Sequence, residues 1–446
     1  MKKYCFFFLF LYAMQLHAQI YEVEKIKPKA TKIYDQAIEK MRDELFEEAI
    51  PLLQKAIAAD TNYVDAILSL AGVYGQLKKH DLAVANYEIA KRKDTLYFKQ
   101  YHLPYSINLA GTGRFGDALH AVNYFLAIPK ISDRSIFAGN YRKKCFQFAV
   151  DYAKQHTDNS YVFAPTNLGD SVNSNKSEYY PTVTIDDSLL VFTQRGEGYR
   201  ENFMQSKLLP SKQYSKATLI NGDINNEPSK GAISVSADGE WMIFAGNFGR
   251  NKGFGDFDLY ISYLSPNGWS EPENLGPNIN TEAWESSPSL SPDKRVLYFS
   301  SNREGGFGAK DLYMSIRQPN GKFGEAINMG SSINTLGDEL APYIHADNQT
   351  LYFTSDGLQG YGGTDLFVMR KLPNGNWDLP QNLGYPINTI SDEGSFAVNA
   401  EGSTAYYASD RADSRGGLDL YKFILRNDIR PFKTLYVKGK VLDKKT

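Results

Sequence analysis

Cysteine and histidine are scarce in this sequence. Among its 446 residues there are two cysteines, Cys5 and Cys145, and six histidines. Cys5 lies in an N-terminal segment that is predicted to be removed, so Cys145 would be alone and could form no intramolecular disulfide. Cys145 lies in an apolar helical stretch, which is typical of a core residue rather than a nucleophile. Because no cluster of histidine and cysteine has the spacing of a zinc site, we predict no metal centre and no cofactor.

The sequence also lacks an excess of charge of either sign. It contains 49 Lys and Arg against 51 Asp and Glu, for a net charge of −2. A nucleic-acid-binding protein normally carries a basic surplus, so this balance argues against that class. With 22% charged and 42% hydrophobic residues, the composition is that of a folded globular protein.

Long hydrophobic runs are absent, apart from one short run at the start. Residues 5–14 are almost continuously apolar, follow two lysines and precede the small residue Ala18. A run of about ten residues is too short to span a bilayer but suits the core of a secretory signal peptide. We therefore expect a signal peptide over residues 1–18, cleavage before Gln19 and a soluble exported product. No later stretch is predicted to cross a membrane.

Residues 28–157 have helical periodicity and an internal repeat of 34 residues. This period indicates tetratricopeptide-like helix pairs, in which small residues at matched positions allow close packing. A looser third copy covers about 98–131, and a capping helical pair is predicted over 132–157. We expect a helical solenoid over 19–157 with a concave groove that binds proteins. The matched positions are Ala37, Ala49, Leu53 and Ala56 in the first copy, and Ala71, Ala83, Tyr87 and Ala90 in the second.

The segment 111–116 reads G-x-G-x-x-G, the pattern of a dinucleotide-binding loop. Such a loop needs a strand before it and a helix after it. Here the segment lies between two repeat helices, so we interpret it as a turn.

The rest of the chain is a tandem repeat of about 54 residues. Each copy contains four short strand patterns, which is the composition of a propeller blade, and five copies fit in residues 161–426. The first copy is degenerate and has Asn202 where the others have aspartate. Matched aromatic residues are Phe244, Phe299, Phe353 and Tyr407, and the matched aspartates are Asp258, Asp311, Asp365 and Asp419.

The two ends of the repeat region complement each other. The fifth copy lacks its fourth strand, and residues 161–169 resemble that missing strand. We predict that segment 161–169 pairs with 419–425 and closes the ring, because unpaired strand edges are a liability.

The loops between the second and third strands of each blade are predicted to share one face with the blade-to-blade connectors. Candidate binding residues on this loop face are Arg303 and Arg411, and at the channel mouth Glu178, Glu285, Glu339 and Glu393, with Lys230 at the same position of the second blade. Four carboxylates could hold a cation or a water network. The favoured alternative is that each accepts hydrogen bonds from backbone N–H groups of its neighbour. The repeated aspartates are interpreted as hairpin caps.

The blades resemble the TolB-like propeller repeat. The third copy shows its elements as Glu285-x-x-Pro288, Ser291-Pro292-Asp293, Tyr298-Phe299 and Asp311-Leu312-Tyr313. The whole order is similar to a cell-envelope family of Bacteroidota that includes the PorE-type component of type IX secretion. That family continues into a small β-sandwich and an OmpA-like peptidoglycan-binding domain. Residues 433–446 read as the start of a truncated carboxypeptidase-regulatory-like sandwich, so the family's peptidoglycan-binding residues have no counterpart here.

The resemblance implies a periplasmic protein associated with the outer membrane or cell wall. Its partners would be envelope proteins, bound through the helical groove and the propeller face, and peptidoglycan would be bound only by the domain that is absent here. The leading hypothesis is a non-enzymatic scaffold. A glycan- or muropeptide-binding propeller is the alternative, and a propeller hydrolase is a weaker one, because His345 is the one histidine in the blades and no G-x-S-x-G elbow occurs.

Overall fold

The computed structural model describes residues 21–435, except 158–159, 197, 199, 228, 250–251 and 412, together with residue 437. The predicted signal peptide lies outside the described residues, as do residues 436 and 438–446 of the predicted sandwich strand. The chain separates into two compact units, the first ending at Lys143 and the second beginning at Lys144. No helix in the described part is long and apolar enough to cross a membrane.

The first unit consists of consecutive helices joined by short turns. The helices are α1 (Pro28–Arg42), α2 (Phe46–Ala59), α3 (Val64–Gln76), α4 (His80–Lys93), α5 (His102–Gly111), α6 (Phe115–Leu126) and α7 (Asp133–Gln155), and the division between the two units falls within α7. The predicted capping pair over 132–157 is wrong in one respect, because the described residues there form one continuous helix. Nothing in 133–155 breaks the helix, since the stretch contains no proline and its single glycine is Gly139.

The turns inside the three helix pairs have the same geometry. Glu44, Lys78 and Gly113 each take a left-handed backbone conformation, with φ of 59°, 55° and 79°. The turn residue of the third pair belongs to the G-x-G-x-x-G segment, which runs from the last residue of α5 into the first turn of α6. The prediction that this segment is a turn is confirmed.

The core of the first unit is formed by the small residues that the repeat predicts. Alanines at matched positions of successive helices have no exposed surface, which brings the helix backbones close together. Because each helix pair buries its apolar side only against the next, the array is stabilised by stacking. The fully buried alanines at these matched positions are Ala37, Ala49, Ala56, Ala71, Ala83, Ala90 and Ala118.

The described residues of the second unit form five antiparallel sheets of four main strands each. The strands follow one another in chain order, except that the outer strand of the fifth sheet comes from the start of the repeat region. This is the predicted five-bladed propeller, and the fold class is confirmed. Blade 1 comprises β2 (Ser177–Val183), β3 (Leu189–Arg195), β4 (Glu201–Lys207) and β5 (Thr218–Leu219). Blade 2 comprises β6 (Lys230–Val235), β7 (Trp241–Gly246), β8 (Asp258–Ser265) and β10 (Glu273–Asn274), with β9 (Gly268–Trp269) pairing at the end of β8.

Blades 3 and 4 repeat the same order. Blade 3 comprises β11 (Glu285–Leu290), β12 (Val296–Ser301), β13 (Asp311–Ile316) and β14 (Ile327–Asn328). Blade 4 comprises β15 (Glu339–Ile344), β16 (Thr350–Ser355), β17 (Asp365–Arg370) and β18 (Gln381–Asn382). Blade 5 comprises β19 (Phe396–Val398), β20 (Thr404–Ser409), β21 (Asp419–Ile424) and, from the other end of the region, β1 (Thr166–Asn167).

Strand β1 occupies the outer position of blade 5. Thr166 lies opposite Lys422 and Asn167 opposite Tyr421 in an antiparallel pair. The ring of Phe163, a few residues earlier, lies 4.9 Å from that of Phe423. The pairing predicted for segment 161–169 is therefore observed, and it covers an edge that would otherwise be open.

The inner strands of four blades carry a β-bulge at the same position. At each bulge a residue other than glycine takes a positive φ, which is strained for an L-amino acid. These residues are Tyr180 (49°), Ala232 (43°), Ser287 (53°) and Ala341 (49°). The hydroxyl of Tyr180 lies 2.9 Å from Ser287 Oγ, and its backbone N–H donates to Ser395 Oγ at 2.8 Å. The bulge of blade 1 thus joins the inner strands of three blades.

Candidate functional site

The four predicted glutamates lie at the start of the inner strands, and all are buried. Each carboxylate accepts hydrogen bonds from the backbone N–H and the hydroxyl of the residue four positions earlier. These donors are Ser174, Thr281, Thr335 and Thr389, for Glu178, Glu285, Glu339 and Glu393 respectively. The contacts favour the hydrogen-bonded interpretation over an ion site, but these donors belong to the glutamate's own connector and not to a neighbour. No group of three His, Cys, Asp or Glu in the described residues is placed to hold a metal ion.

Burial raises the pKa of three of these carboxylates. It raises the pKa of Glu178 and of Glu339 above the usual range, although the hydrogen bonds from serine and threonine act in the opposite direction. The pKa of Glu393 is raised furthest, by burial and then by the neighbouring carboxylate of Asp365. The four glutamates are therefore buried and hydrogen-bonded within the propeller, and they do not form an exposed ring of negative charge.

The second blade has Lys230 at the position of the glutamates. Its ammonium group is buried and donates to the backbone carbonyls of Glu201 at 2.8 Å and Glu227 at 2.5 Å. Burial lowers the pKa of Lys230 to about 8. Lys230 bonds the neighbouring blade directly, so it also has a structural role.

The repeated aspartates are hairpin caps, as the sequence indicates. Each accepts the backbone N–H of the residue four positions earlier, at 2.6 Å for Phe254, Phe307 and Tyr361 and 3.3 Å for Arg415. In blades 2, 3 and 5 the carboxylate also accepts from an asparagine on the outer strand. These asparagines are Asn274, Asn328 and Asn167, at 2.8, 2.7 and 2.7 Å.

In blades 2 to 5, the loop between the second and third strands contains a glycine that touches the connector of the next blade, and we call it the latch glycine. A Cβ atom on Gly308 would lie 2.3 Å from Thr335 O, and one on Gly362 would lie 2.4 Å from the backbone of Ile390. Such distances leave no room for a side chain, so glycine is required. The equivalent contacts are made by Gly255 and Gly416.

Sequence reasoning did not assign a role to the second asparagine of each connector. Asn280, for example, accepts the N–H of Leu259 at 2.7 Å and donates to its carbonyl at 3.0 Å. The signal was present, because the connector pattern Asn-x-Gly-x-x-Ile-Asn recurs in blades 2, 3 and 4, with its first asparagine 16 residues after Asp258 and 17 after Asp311. The equivalent residues are Asn173, Asn334 and Asn388, and all four are buried.

The two predicted arginines have different environments. The Arg303 side chain is 14% exposed, donates to Ile279 O at 2.5 Å and pairs with Glu285 at 3.2 Å. Its guanidinium also lies over the ring of Tyr313, 4.7 Å from the centroid. Arg411 is exposed and lies over the ring of Phe163 at 5.8 Å. The structure does not bring these two arginines together.

Exposed apolar residues lie on the same loop face. Phe254 and Phe307 occupy the position just before the latch glycine in blades 2 and 3, and each is 47% exposed. Leu336, in the connector that Gly308 touches, is 89% exposed. Sequence reasoning missed these three residues because it looked for charged groups.

The first unit has a second candidate surface, formed by α1, α3 and the segments that precede α1 and α5. The hydroxyl of Tyr34 on α1 lies 2.9 Å from Ser69 Oγ on α3. The Asp65 carboxylate on α3 accepts from the hydroxyls of Tyr21 at 2.9 Å and Tyr97 at 2.5 Å. Burial and the bond to Asp65 raise the pKa of both tyrosines. We call these five residues the tyrosine–aspartate surface.

No protein-family model matches this chain, and no curated protein matches it. Among solved structures, TolB from Acinetobacter baumannii is 15% identical with a TM-score of 0.35, over 66% of this chain and 71% of TolB. The tricorn protease is 10% identical with a TM-score of 0.34, over 56% of this chain and 25% of that protein. The Yersinia enterocolitica type III secretion chaperone SycD, in complex with a peptide of the translocator YopD, is 15% identical with a TM-score of 0.25, over 29% and 96%. These likenesses concern the fold alone.

Proposed function

We propose that this protein is a non-enzymatic scaffold of the bacterial cell envelope that binds partner proteins. The helical repeats over 19–157 would supply one binding surface, and the propeller over 161–426 would supply another on its loop face. One observation carries the proposal. The glutamates and aspartates that recur in four of the five blades accept hydrogen bonds from the loops and connectors, whereas apolar side chains such as Phe307 and Leu336 are left exposed beside them.

The candidate acid–base groups support a role without catalysis. Each of the four glutamates and the capping aspartates accepts at least one hydrogen bond from a backbone or hydroxyl donor, although Glu393 Oε2 and Asp365 Oδ1 have no partner among the described residues. His345, the one histidine of the blades, is buried between the carbonyl of Asn399 at 2.9 Å and the backbone N–H of Asp347 at 3.1 Å. A hydrolase would need such groups free to reach a substrate.

The tyrosine–aspartate surface supports protein binding by the first unit. Tyrosine offers a large apolar ring and one hydroxyl, and it is enriched in protein interfaces for that reason. The concave side of stacked helical repeats is their usual binding surface.

The sequence resemblance supports the finer part of the proposal. Under it, residues 1–18 direct export, the mature protein is periplasmic near the outer membrane or cell wall, and its role lies in envelope assembly such as type IX secretion. Its partners would be envelope proteins, and peptidoglycan would be bound through a further C-terminal domain.

The alternative of a glycan- or muropeptide-binding propeller rests on the tyrosines and the asparagine-rich loops of the blades, since both suit sugar binding. Asn280, Asn334 and Asn388 are buried and bonded to the neighbouring strand. Since these amides are not available to a sugar, the geometry favours the protein-binding alternative.

The test is affinity capture from native envelopes with the full chain, followed by mass spectrometry. An Asp65→Ala variant alters the tyrosine–aspartate surface, and Lys55→Ala, an exposed position on α2, is the matched control. We expect the wild type and the control to retain the same envelope proteins and the Asp65 variant to lose some of them. Retention of muropeptides or glycans alone, or turnover of a glycosidase or peptidase substrate, would contradict the proposal.

A further inference from the structure

The residue just before the latch glycine, which is exposed in blades 2 and 3, is covered in blade 4. Tyr361 lies just before the latch glycine and is 1% exposed. It is covered by Phe148 and Tyr152, whose ring centroids lie 5.5 and 6.1 Å from its own. These two residues lie four positions apart, on one side of the part of α7 that belongs to the second unit.

A backbone carbonyl and a glycine complete the position that receives Tyr152. The Tyr152 hydroxyl donates to the carbonyl of Asn382 at 3.1 Å. Its ring lies against Gly384, where a Cβ atom would come within 2.4 Å of the ring. Blade 4 therefore has a defined seat for an aromatic pair on a helix, formed by Tyr361, Asn382 and Gly384.

Blade 3 contains the same seat without an occupant among the described residues. Phe307 corresponds to Tyr361, because the N–H of each donates to its blade's aspartate at 2.6 Å. Asn328 corresponds to Asn382 and Gly330 to Gly384, since the two connectors have the same spacing. A Cβ atom on Gly330 would have no neighbour within 4 Å.

The rim of the blade 3 seat is apolar. Leu336 corresponds to Ile390 of blade 4, because the latch glycines Gly308 and Gly362 touch these two residues. Leu336 and Phe307 are largely exposed, and clustered exposed apolar side chains of this kind mark interaction sites. Blade 2 has the equivalent Phe254 but places Glu282 at the position of Leu336. Blade 3 is therefore the closer match to the covered blade.

We propose that the seat of blade 3, formed by Phe307, Asn328, Gly330 and Leu336, binds an amphipathic helix of a partner protein. That helix would carry two aromatic residues four positions apart, with a tyrosine as the second, by analogy with Phe148 and Tyr152. Burial of the two rings against Phe307 and Leu336 supplies the affinity, and the tyrosine hydroxyl donates to the carbonyl of Asn328. A second copy of this chain is a poorer occupant, because its own aromatic pair is already packed on blade 4. This inference rests on the proposed scaffold function and names the chemistry of one partner.

The probe is a fluorescent peptide with the sequence of residues 144–156 of this chain, which contains the aromatic pair. Its affinity for the full chain is measured by fluorescence anisotropy. We expect binding that a Phe307→Ala/Leu336→Ala double variant weakens by about tenfold or more, as for a central apolar contact. The matched control, Phe254→Ala, should change the affinity by less than about twofold, and a peptide with Phe148→Ala and Tyr152→Ala should not bind at concentrations up to about 1 mM.

Equal affinity of the double variant and the wild type would overturn the inference, because the peptide would then bind elsewhere, for instance by displacing α7. Absence of binding by the parent peptide, or binding by the aromatic-free peptide, would also overturn it. Sedimentation of the chain alone provides a further check, since a dimer that the double variant abolishes would make the occupant a second copy. Each of these results leaves the scaffold proposal to be decided by the envelope capture, so the two failures are distinguishable.

Discussion

Asn167 donates a hydrogen bond of 2.7 Å to the carboxylate of Asp419, 252 positions later in the chain. The same bond joins Asn328 to Asp311 at 2.7 Å and Asn274 to Asp258 at 2.8 Å within single blades. The ring of blades is thus closed by the same asparagine–aspartate bond that holds the outer strand in blades 2 and 3. What differs is only that the two partners come from opposite ends of the repeat region.

The closing bond can be tested with Asn167→Asp. The substitution places a second carboxylate beside Asp419 and removes its donor, so we expect a loss of about 2–3 kcal/mol in the free energy of unfolding. Hydrogen exchange should become faster in β1 and β21. The control is Asn328→Asp, which should destabilise blade 3 to a similar extent without raising exchange in β1. Slow exchange in β1 of the Asn167 variant would show that the bond is not needed for closure.

A second prediction concerns the loss of stability when a latch glycine is replaced. In Gly308→Ala the new methyl group would overlap Thr335 O, and overpacking of this kind costs about 1–3 kcal/mol. The control is Gly394→Ala, because the nearest atom to its Cβ position is 3.9 Å away. Urea denaturation monitored by tryptophan fluorescence measures both. A Gly308 variant as stable as the control would mean that the blade contact can relax without cost.

The two arginines at matched positions should respond differently to removal. Arg303→Ala would leave the buried Glu285 carboxylate without its ion-pair partner, and loss of one member of a buried pair costs about 3–5 kcal/mol. Arg411→Ala, at an exposed side chain, should change stability by about 0.5 kcal/mol or less. Thermal unfolding of the two variants provides the comparison. Equal effects would indicate that the two positions are equivalent after all.

The raised pKa of Asp365 leads us to expect that the stability of the protein depends on pH. Burial raises the pKa of its carboxyl group to about 7, above the value of about 4 in an unfolded chain. Because the folded state binds the proton of the Asp365 carboxyl group more tightly than the unfolded chain does, the contribution of Asp365 to stability is greatest below about pH 4. It decreases as the pH rises toward 7, by at most about 1.4 kcal/mol per pH unit.

The variant Asp365→Asn removes this titration while keeping an oxygen to accept the Tyr361 N–H bond. We expect its stability to fall less between pH 4 and pH 7 than that of the wild type, and to exceed the wild type at pH 7. Chemical denaturation across this pH range measures the difference. Parallel curves for the two proteins would show that Asp365 does not titrate in that range.

Much of the fold could be predicted because both units are built from repeats. The alanines at the 34-residue period and the aspartates at the 54-residue period mark positions that must pack or bond in the same way in every copy. The closing strand followed from the same logic, since 161–169 resembles the element that the last copy lacks. The helix at 133–155 was predicted as a pair because the terminal repeat has no second copy for comparison.

The candidate site could be predicted only in part. The sequence showed which residues recur, and the recurring aspartates are caps as expected. It could not show that Arg303 and Arg411 would differ, since Arg303 lies against Glu285 and Tyr313 whereas Arg411 lies beside the closing segment at Phe163. Equivalent positions in a repeat acquire different neighbours where the ring is closed.

The sequence by itself determined the two architectures, the number of blades and the bonds that recur in each blade, because these depend on periodic local patterns. The tertiary structure decided which equivalent side chains are covered. Tyr361 is buried and Phe307 is exposed, although their loops have the same spacing and the same aspartate bond. The physical reason is that the part of α7 with Phe148 and Tyr152 packs on blade 4, a contact between segments more than 200 residues apart that no local pattern encodes.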